Sequence, residues 1–388
     1  MAVGAAGQFL PAGTRLAVAH EYLNQYGGAE RVLERMHDLF PDAPIYTSMY
    51  GPGIMPAGYR AWDIRTSFMQ RLPMVTTRHQ MYLMAYPLAF ESFDFSNYDV
   101  VLSNSSAFAK GVVTGPETLH VCYCLTPMRW VWRYREYVHG ENLGFLARFV
   151  LPPFIQYLRL WDVTSAKRVD RFIAISRAVA ARIEKYYGRQ AEIIYPPVDT
   201  DHFSASGEPD DYYLTVARLI PYRRIDLVVD AFSRLGLRVK IVGDGRDHTR
   251  LRARASTNVE FVGRVDDETL TQLYAGCRAY LIVAEEDFGI APVEAQAAGR
   301  PVVAYAAGGA LDTVIDGETG VLFREQSPEA LAEAVRKLEQ SSFDSSRIRA
   351  NAERFSSNVF RERLSTFLAR AYQEWRERGG LREPALAG

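Results

Sequence analysis

Two carboxylates, Glu286 and Glu294, stand with seven residues between them in EEDFGIAPVEAQAAGRPVV, Glu285 to Val303. The apolar run before them reads as a strand, the glycine as a turn, and the residues from about Gly289 onward as a helix. Backbone N–H groups at that helix start, from Phe288 and Gly289 to Ile290 and Ala291, point at whatever lies above the strand ends, and the helix dipole favours negative charge there. That is a place for phosphate or sugar oxygens. An ionised carboxylate accepts at two oxygens, so Glu294, more than a turn into the helix, suits a vicinal diol such as a ribose, and Glu286 suits sugar hydroxyls. Carboxylates near a helix start can also serve the dipole alone.

Their company argues for more. Arg218 closes a strand, and Arg223 and Arg224 open the helix that follows Leu219-Ile220-Pro221-Tyr222. Guanidinium groups beside helix N-terminal amides suit a diphosphate. Gly243, in VGDGRD, ends a further strand but lacks the longer dinucleotide fingerprint. After Gly263, Arg264 and Val265 offer backbone contacts to a nucleobase, although a strand-end glycine also serves a turn. Cys122, Cys124 and Cys277 cannot form a disulfide framework, and Cys122-Val-Cys124 lacks the second pair a zinc site needs. Two thiols on one strand face is the plainer reading, and no metal or other cofactor is expected.

The elements that must position these residues follow from length and pattern. The chain has 388 residues, which at roughly 150 per domain predicts two domains. Its 48% hydrophobic and 23% charged residues fit a globular chain rather than a disordered or fibrous one. The 45 Lys and Arg against 46 Asp and Glu leave a net charge of -1, so a nucleic-acid partner is not expected. No apolar run is long enough to span a membrane, and MAVGAAGQFLPAGT does not read as an export signal. The expectation is a cytoplasmic, reduced protein.

Strand patterns recur at RLAVAH (Arg15 to His20), YDVVLSNSS (Tyr98 to Ser106), HVCYCL (His120 to Leu125), RFIAIS (Arg171 to Ser176) and EIIY (Glu192 to Tyr195), with helical patterns between most of them. The first strand is followed by a turn at Gly27 and Gly28 and a helix from Ala29 to Phe40. Pro196-Pro197 breaks the alternation, which restarts at YYLTVA (Tyr212), LRVKIVG (Leu237), NVEFVG (Asn258), AYLIVA (Ala279), PVVAY (Pro301) and GVLF (Gly320). This predicts an α/β protein of two doubly wound, Rossmann-like parallel-sheet domains facing a central cleft, residues 1–197 and 198–357. Residues 358–388 form a helix with an apolar stripe, expected to pack back on the N-terminal domain, and a tail.

The second domain resembles the family-four retaining glycosyltransferases of GT-B fold. The likeness rests on Glu286 and Glu294 within E-D-F-G-I-x-P-V-E-A, with VARLIPYRRIDLVVDAF (Val216 to Phe232), VGDG, FVGRV, AAGRPVVAYAAGG (Ala297 to Gly309) and DGETGVLF (Asp316 to Phe323) in the family's order. HEYLNQYGGAERVLERMHDLFPDAPIYT (His20 to Thr47) is similar to the bacterial polysaccharide-assembly members. The resemblance implies a nucleotide-diphosphate-sugar held mainly by the second domain, with a glycan or polyprenyl-linked acceptor entering from the first. Arg218 and Arg223 would neutralise the diphosphate, Glu286 would contact the sugar, Glu294 would bind the ribose, and Gly27 and Gly28 would approach the diphosphate. Gly243, Arg264, Val265 and the amides of Phe288 to Ala291 complete the donor set. The catalytic group would be Glu286, Arg218 and Arg223, and the family neighbourhood suggests mannose from GDP-mannose.

Two departures stand out. Arg223 replaces the family's usual lysine, keeping the charge but changing its geometry. Leu125 in Tyr123-Cys124-Leu125-Thr126-Pro127 stands where relatives with similar surroundings have histidine, and His120, roughly 16 Å back along the strand, reads as structural. Leu125 supports an alternative, a catalytically weak GT-B protein that binds nucleotide-sugar or glycan as a partner subunit. On the acceptor side, Lys110 and Arg129 follow first-domain strands and suit an acceptor phosphate. From Arg129 to Arg189, basic residues exceed acids and aromatic residues are interleaved, which suits peripheral contact with an anionic membrane on the inner face.

Overall fold

The computed structural model describes residues 9–134, 145–203 and 208–379. The chain divides into two compact units: Met1–Tyr195 with Phe360–Gly388, and Pro196–Val359. Residues 380–388, where the expected tail lies, are outside the described residues.

The first unit is built on a seven-stranded parallel sheet. Its strands are β1 (Leu16–His20), β2 (Ile45–Thr47), β3 (Ile64–Thr66), β4 (Val100–Ser105), β5 (Leu119–Cys124), β6 (Arg171–Ala174) and β7 (Ala191–Ile193), in the order β3-β2-β1-β4-β5-β6-β7. β1, β4 and β5 are buried along their whole length, as expected of central strands covered on both faces. β2 and β3 are additions to the sequence reading. Each has only three residues, too few for alternation to show, and β3 is a half-exposed edge.

The second unit carries β8 (Tyr212–Val216), β9 (Arg238–Val242), β10 (Val259–Gly263), β11 (Tyr280–Ile282), β12 (Val302–Tyr305) and β13 (Gly320–Phe323), in the order β10-β9-β8-β11-β12-β13, again all parallel. Both sheets therefore follow the doubly wound order in which the winding direction reverses beside the first strand. Ligands in such sheets bind outside the carboxyl ends of the strands at that reversal. The reversal falls between β1 and β4 in the first unit and between β8 and β11 in the second.

The last helix, Ser357–Glu377, buries Phe360, Leu364, Phe367, Leu368, Tyr372 and Trp375, the stripe read from the sequence. From Phe360 on it belongs to the first unit, where Phe360 meets Tyr123 edge to face at 5.7 Å between ring centroids. Arg171 Nη2 lies 3.4 Å from Glu374 Oε2, and Arg370 pairs with Glu192.

Candidate functional site

At the reversal of the second sheet, β8 leads into Arg218 and β11 into Glu286. The loop carrying Arg218 lies on a bed of glycine. A Cβ at Gly243, whose φ is +123°, would strike the Ala217 carbonyl oxygen, and one at Gly245 would strike that of Leu219. Backbone bonds fasten the two segments: Leu219 N donates to Asp244 O at 3.0 Å and Asp247 N to Leu219 O at 3.0 Å. Gly243 was expected to meet a ligand, and packing within the unit already accounts for glycine there.

Arg218 is exposed and its Nη2 lies 3.3 Å from the Tyr222 hydroxyl. Arg223 ends a short 3-10 turn, Pro221–Arg223. It forms an ion pair with Glu286 and stands 5.4 Å from the Tyr222 ring centroid. Burial holds its guanidinium below the usual arginine range, and the neighbouring Arg218 charge pushes the same way. Its Nε is buried without a hydrogen-bond partner. Arg224 does not join the cluster. It adopts a left-handed conformation (φ 52°) and turns to Asp226, with Nε 3.2 Å from Oδ1 and Nη2 3.3 Å from Oδ2.

The helix read near Gly289 runs over Ile290–Ala297, with Gly289 (φ 87°) at its N-cap and no side chain capping it. Amides at a helix start favour an anion. Phe288 turns its ring inward, 3% exposed and 5.5 Å from Phe355, so only its backbone serves the turn. The turn is held by Gly308 and Gly309, which sequence reasoning assigned no role. Gly309 N donates to Glu286 O at 2.9 Å, a Cβ at Gly308 (φ +60°) would strike that same oxygen, and one at Gly309 would strike the Phe288 carbonyl. The double glycine was the signal for this close approach.

Glu294 lies within the helix, 4% exposed, and its Oε2 accepts from the Tyr274 hydroxyl at 2.8 Å. Tyr280 is close by, bonded to Val216 O at 3.2 Å, and burial lifts its phenol above the usual range. Tyr274 has no sequence signature and was missed. Arg264 is exposed and Val265 half-buried after β10, at the same end of the sheet. β10 is the edge strand, two inter-strand spacings or about 10 Å from β8; Gly243 N donates to Gly263 O at 2.7 Å.

In the first unit, Gly27 caps the helix Gly28–Leu39 in an extended conformation (φ -166°), again with no side-chain cap. A Cβ there would meet only Glu30 Oε2, at an ordinary 3.5 Å, so nothing nearby in the unit demands glycine. Buried Glu30 holds His20 Nε2 at 3.3 Å, and Asn104 Nδ2 reaches both His20 Nδ1 (3.2 Å) and Ala29 O (2.9 Å).

Lys110 corrects the acceptor assignment. It is 2% exposed, and its Nζ lies 2.5 Å from Asp162 Oδ1 and 2.8 Å from Ala107 O. Asp162 Oδ2 also accepts from Trp132 Nε1 at 2.7 Å and from Tyr187 OH at 2.9 Å. This ammonium belongs to the interior and cannot meet an acceptor phosphate without leaving it. Arg129 is half-buried at the start of the short helix Arg129–Trp132. His120 is fully buried, its Nε2 2.9 Å from Ser103 Oγ, the structural role read for it. Leu125 is half-buried just beyond β5 and donates its backbone N–H to Ser105 O at 2.8 Å. The three cysteines are buried and free.

Several described members of the basic, aromatic region from Arg129 to Arg189 are engaged within the unit. Arg159 bonds Val131 O, Arg168 bonds Glu91 and Gly111 O, and Arg189 bonds Val169 O and Asp170 O. Trp161 is buried and Trp132 stacks on Tyr186 at 4.2 Å. Arg135, Glu136 and Glu141 lie outside the described residues, as do the side chains of Phe145, Arg148 and Phe149. No described helix is long and apolar enough to cross a membrane.

Comparison with known proteins bears on this geometry. Residues 26–202 match the family model "Glycosyltransferase Family 4" and residues 199–355 match "Glycosyl transferases group 1". Among curated proteins, the D-inositol 3-phosphate glycosyltransferase of Mycobacteroides abscessus is 34% identical over 45% of this chain and 43% of its own. The GDP-mannose-dependent alpha-(1-6)-phosphatidylinositol monomannoside mannosyltransferase of Mycolicibacterium smegmatis is 25% identical over 83% of this chain and 88% of its own. The chain spans about half the length of the first curated relatives it matches. Among solved structures, Anabaena HepE in complex with UDP superposes with a TM-score of 0.69 over 92% of this chain and 100% of its own, at 19% identity, a likeness of fold. The two matches together run from residue 26 to 355, and the chain belongs to the family-four glycosyltransferases, with the GT-B fold.

Proposed function

We propose that this protein is a retaining hexosyltransferase that moves mannose from GDP-mannose to a glycan or lipid-linked oligosaccharide. The observation that carries the reading is the convergence of Arg218, Arg223 and Glu286 beside an uncapped helix start, with Glu294 buried behind it. The diphosphate lies against the Ile290 and Ala291 amides and the two guanidinium groups. The ribose hydroxyls reach Glu294, and Glu286 meets the sugar once Arg223 turns from it to phosphate. The acceptor oxygen attacks the anomeric carbon on the face from which the diphosphate departs. The bond from that carbon to the phosphate oxygen breaks, and the acceptor's proton passes to the leaving phosphate. Charge grows on phosphate as the sugar becomes oxocarbenium-like, so preorganised arginines favour the transition state over the ground state. In this scheme they supply the counter-charge that a divalent metal supplies elsewhere.

Mannose is supported by two relatives described as GDP-mannose-dependent mannosyltransferases; UDP in HepE keeps uridine donors in the test. A second reading, a donor-binding partner subunit with little turnover, is favoured by Leu125, an apolar residue just past β5. The purified protein should be offered GDP-mannose, UDP-glucose, UDP-galactose and UDP-N-acetylglucosamine separately, with binding and sugar release measured. Selective binding and slow hydrolysis of GDP-mannose is expected. Binding with no turnover, even with acceptor lipids added, would favour the partner subunit, and no binding of any donor would remove both readings.

A further inference from the structure

Beyond the carboxyl ends of β1, β2 and β4 runs a segment tied down by its own hydrogen bonds. Ser67 Oγ donates to Ser48 O at 2.8 Å, and the Gln70 side chain exchanges two bonds with the Tyr50 backbone, at 2.7 and 3.2 Å. The chain then forms three short helices, Val75–Arg78, His79–Ala85 and Tyr86–Glu91, and the Tyr82 hydroxyl donates to Pro73 O at 3.0 Å. Asn24, in the loop after β1, fastens to the same segment by donating from Nδ2 to Thr76 O at 3.0 Å. His79 is thereby held at the reversal of the first sheet, where doubly wound folds place their ligands. Its ring lies 5.0 Å from that of Tyr22, two residues past β1, and Tyr86 stacks at 4.7 Å on Phe108, three residues past β4.

The hydrogen bonding of His79 has a direction. Tyr86 is buried, and burial lifts its phenol above the usual range, so the hydroxyl keeps its proton and needs an acceptor. His79 Nδ1 stands 2.8 Å away. Burial also lowers the His79 pKa, which keeps the ring neutral at neutral pH. A neutral ring that accepts at Nδ1 carries its proton on Nε2. Nε2 bonds no described residue and is not sealed in the interior. A half-buried ring, fixed on one side, therefore aims an N–H outward. His20, at the same end of the sheet, differs: its two nitrogens are taken by Glu30 and Asn104.

We propose that His79 and Tyr22 form a subsite for a neutral sugar of the acceptor, in which His79 Nε2–H donates to a sugar hydroxyl and the Tyr22 ring covers the adjoining C–H face. The assignment rests on the transferase reading above and names two residues that set its acceptor specificity. Half-buried Tyr22 suits this role because a tyrosine ring offers an apolar face beside a polar tip. Charge selects a neutral ligand over a phosphate. An anion here would meet Glu21, whose carboxylate already fills the amides of Ser106 to Ala109, while Lys110 is turned inward to Asp162.

The test uses the full chain with methyl α-mannoside as the probe and inorganic phosphate as the anionic comparison. In nitrogen NMR spectra, the ring signals of His79, identified by their loss in His79→Gln, should report a protonated Nε2 and should move as the mannoside saturates, but not with phosphate. His79→Ala should raise the mannoside Kd about tenfold, and His79→Gln, which keeps an N–H donor, about threefold. Tyr86→Phe frees the ring to turn and should fall between them. Gln80→Ala, at an exposed neighbour, should match the parent. In transfer to the mannoside from the nucleotide-sugar selected by the donor screen, His79→Ala should raise the mannoside KM in the same proportion, with the donor Kd and the melting temperature at parent values. A merely structural role would move melting and both substrates together. The proposal is overturned if the mannoside leaves the His79 signals unmoved, if phosphate moves them in its place, or if His79→Ala binds the mannoside as the parent does. Should the parent bind the mannoside through His79 and bind no nucleotide-sugar, the transferase reading fails and the sugar subsite stands.

Discussion

Each sheet brings charged residues to the point where its winding reverses, and the two units use them in opposite ways. Beyond β1, Glu21 is 2% exposed and accepts from the amides of Ser106, Ala107, Phe108 and Ala109 and from Ser105 Oγ, at 2.7–3.1 Å. A protein carboxylate thus occupies the amides that follow β4, and Lys110 pairs with Asp162 inside the unit. Beyond β8 and β11, the helix start at Ile290 has no side-chain cap, and the Arg223–Glu286 pair keeps side-chain exposures of 23% and 18%, against 2% and 0% for Lys110–Asp162. Two cation–carboxylate pairs beyond strand ends therefore differ in what surrounds them. Trp132 and Tyr187 complete the bonding of Asp162, whereas Arg223 retains a buried Nε without a partner. The lesson is that a charge at a strand end becomes a ligand group only where the fold has not already satisfied it.

The largest effect should come from breaking the closed pair. Asp162→Ala leaves the Lys110 ammonium buried and uncompensated and should cost about 3–5 kcal/mol of stability, read by chemical denaturation, while donor binding by the folded protein persists. Parent-like stability would mean that Lys110 reaches solvent after all. The open pair should respond in the reverse sense. Arg223→Ala should lower kcat/KM about 100-fold, or about 2.7 kcal/mol, with stability changed by no more than about 1 kcal/mol; a stability loss with unaltered kinetics would erase the contrast.

Gly308→Ala sharpens the comparison by moving Glu286 without touching its charge. The clash with the Glu286 carbonyl and the positive φ should displace the turn and lower turnover about tenfold or more, at a cost of about 1–3 kcal/mol in stability. The smallest effect should follow at Glu294. Glu294→Ala should weaken donor binding about tenfold by calorimetry, and Tyr274→Phe, which removes only the hydroxyl that orients Oε2, about threefold. An unchanged dissociation constant for Glu294→Ala would remove it from the ribose.

Much of the candidate site was legible because its residues sit at fixed short offsets from strand ends. Glu286, Gly289 and the first turn of Ile290–Ala297 follow β11 directly, and Arg218 follows β8, so a strand-turn-helix pattern locates them. Partners distant along the chain were illegible. Tyr274 precedes Glu294 by 20 residues, and Asp162 follows Lys110 by 52, and no local pattern pairs either. The double glycine at 308 and 309 was visible as a motif, but which backbone it admits was not. β2 and β3 were too short to show a period, and Arg224, adjacent to Arg223, turned away through a left-handed backbone that neighbouring residue types did not announce.

The amino-acid sequence by itself determined the two parallel sheets, the break at Pro196-Pro197, and the kinds of group offered at each strand end, because hydrophobic period, proline and glycine act over a few residues. Only the tertiary structure decided which charges are closed and which remain open. Lys110 and Arg223 are both cations beyond a strand, and what separates them is burial and pairing with residues brought from elsewhere in the chain, which set whether a charge stabilises the interior or stays available to a ligand.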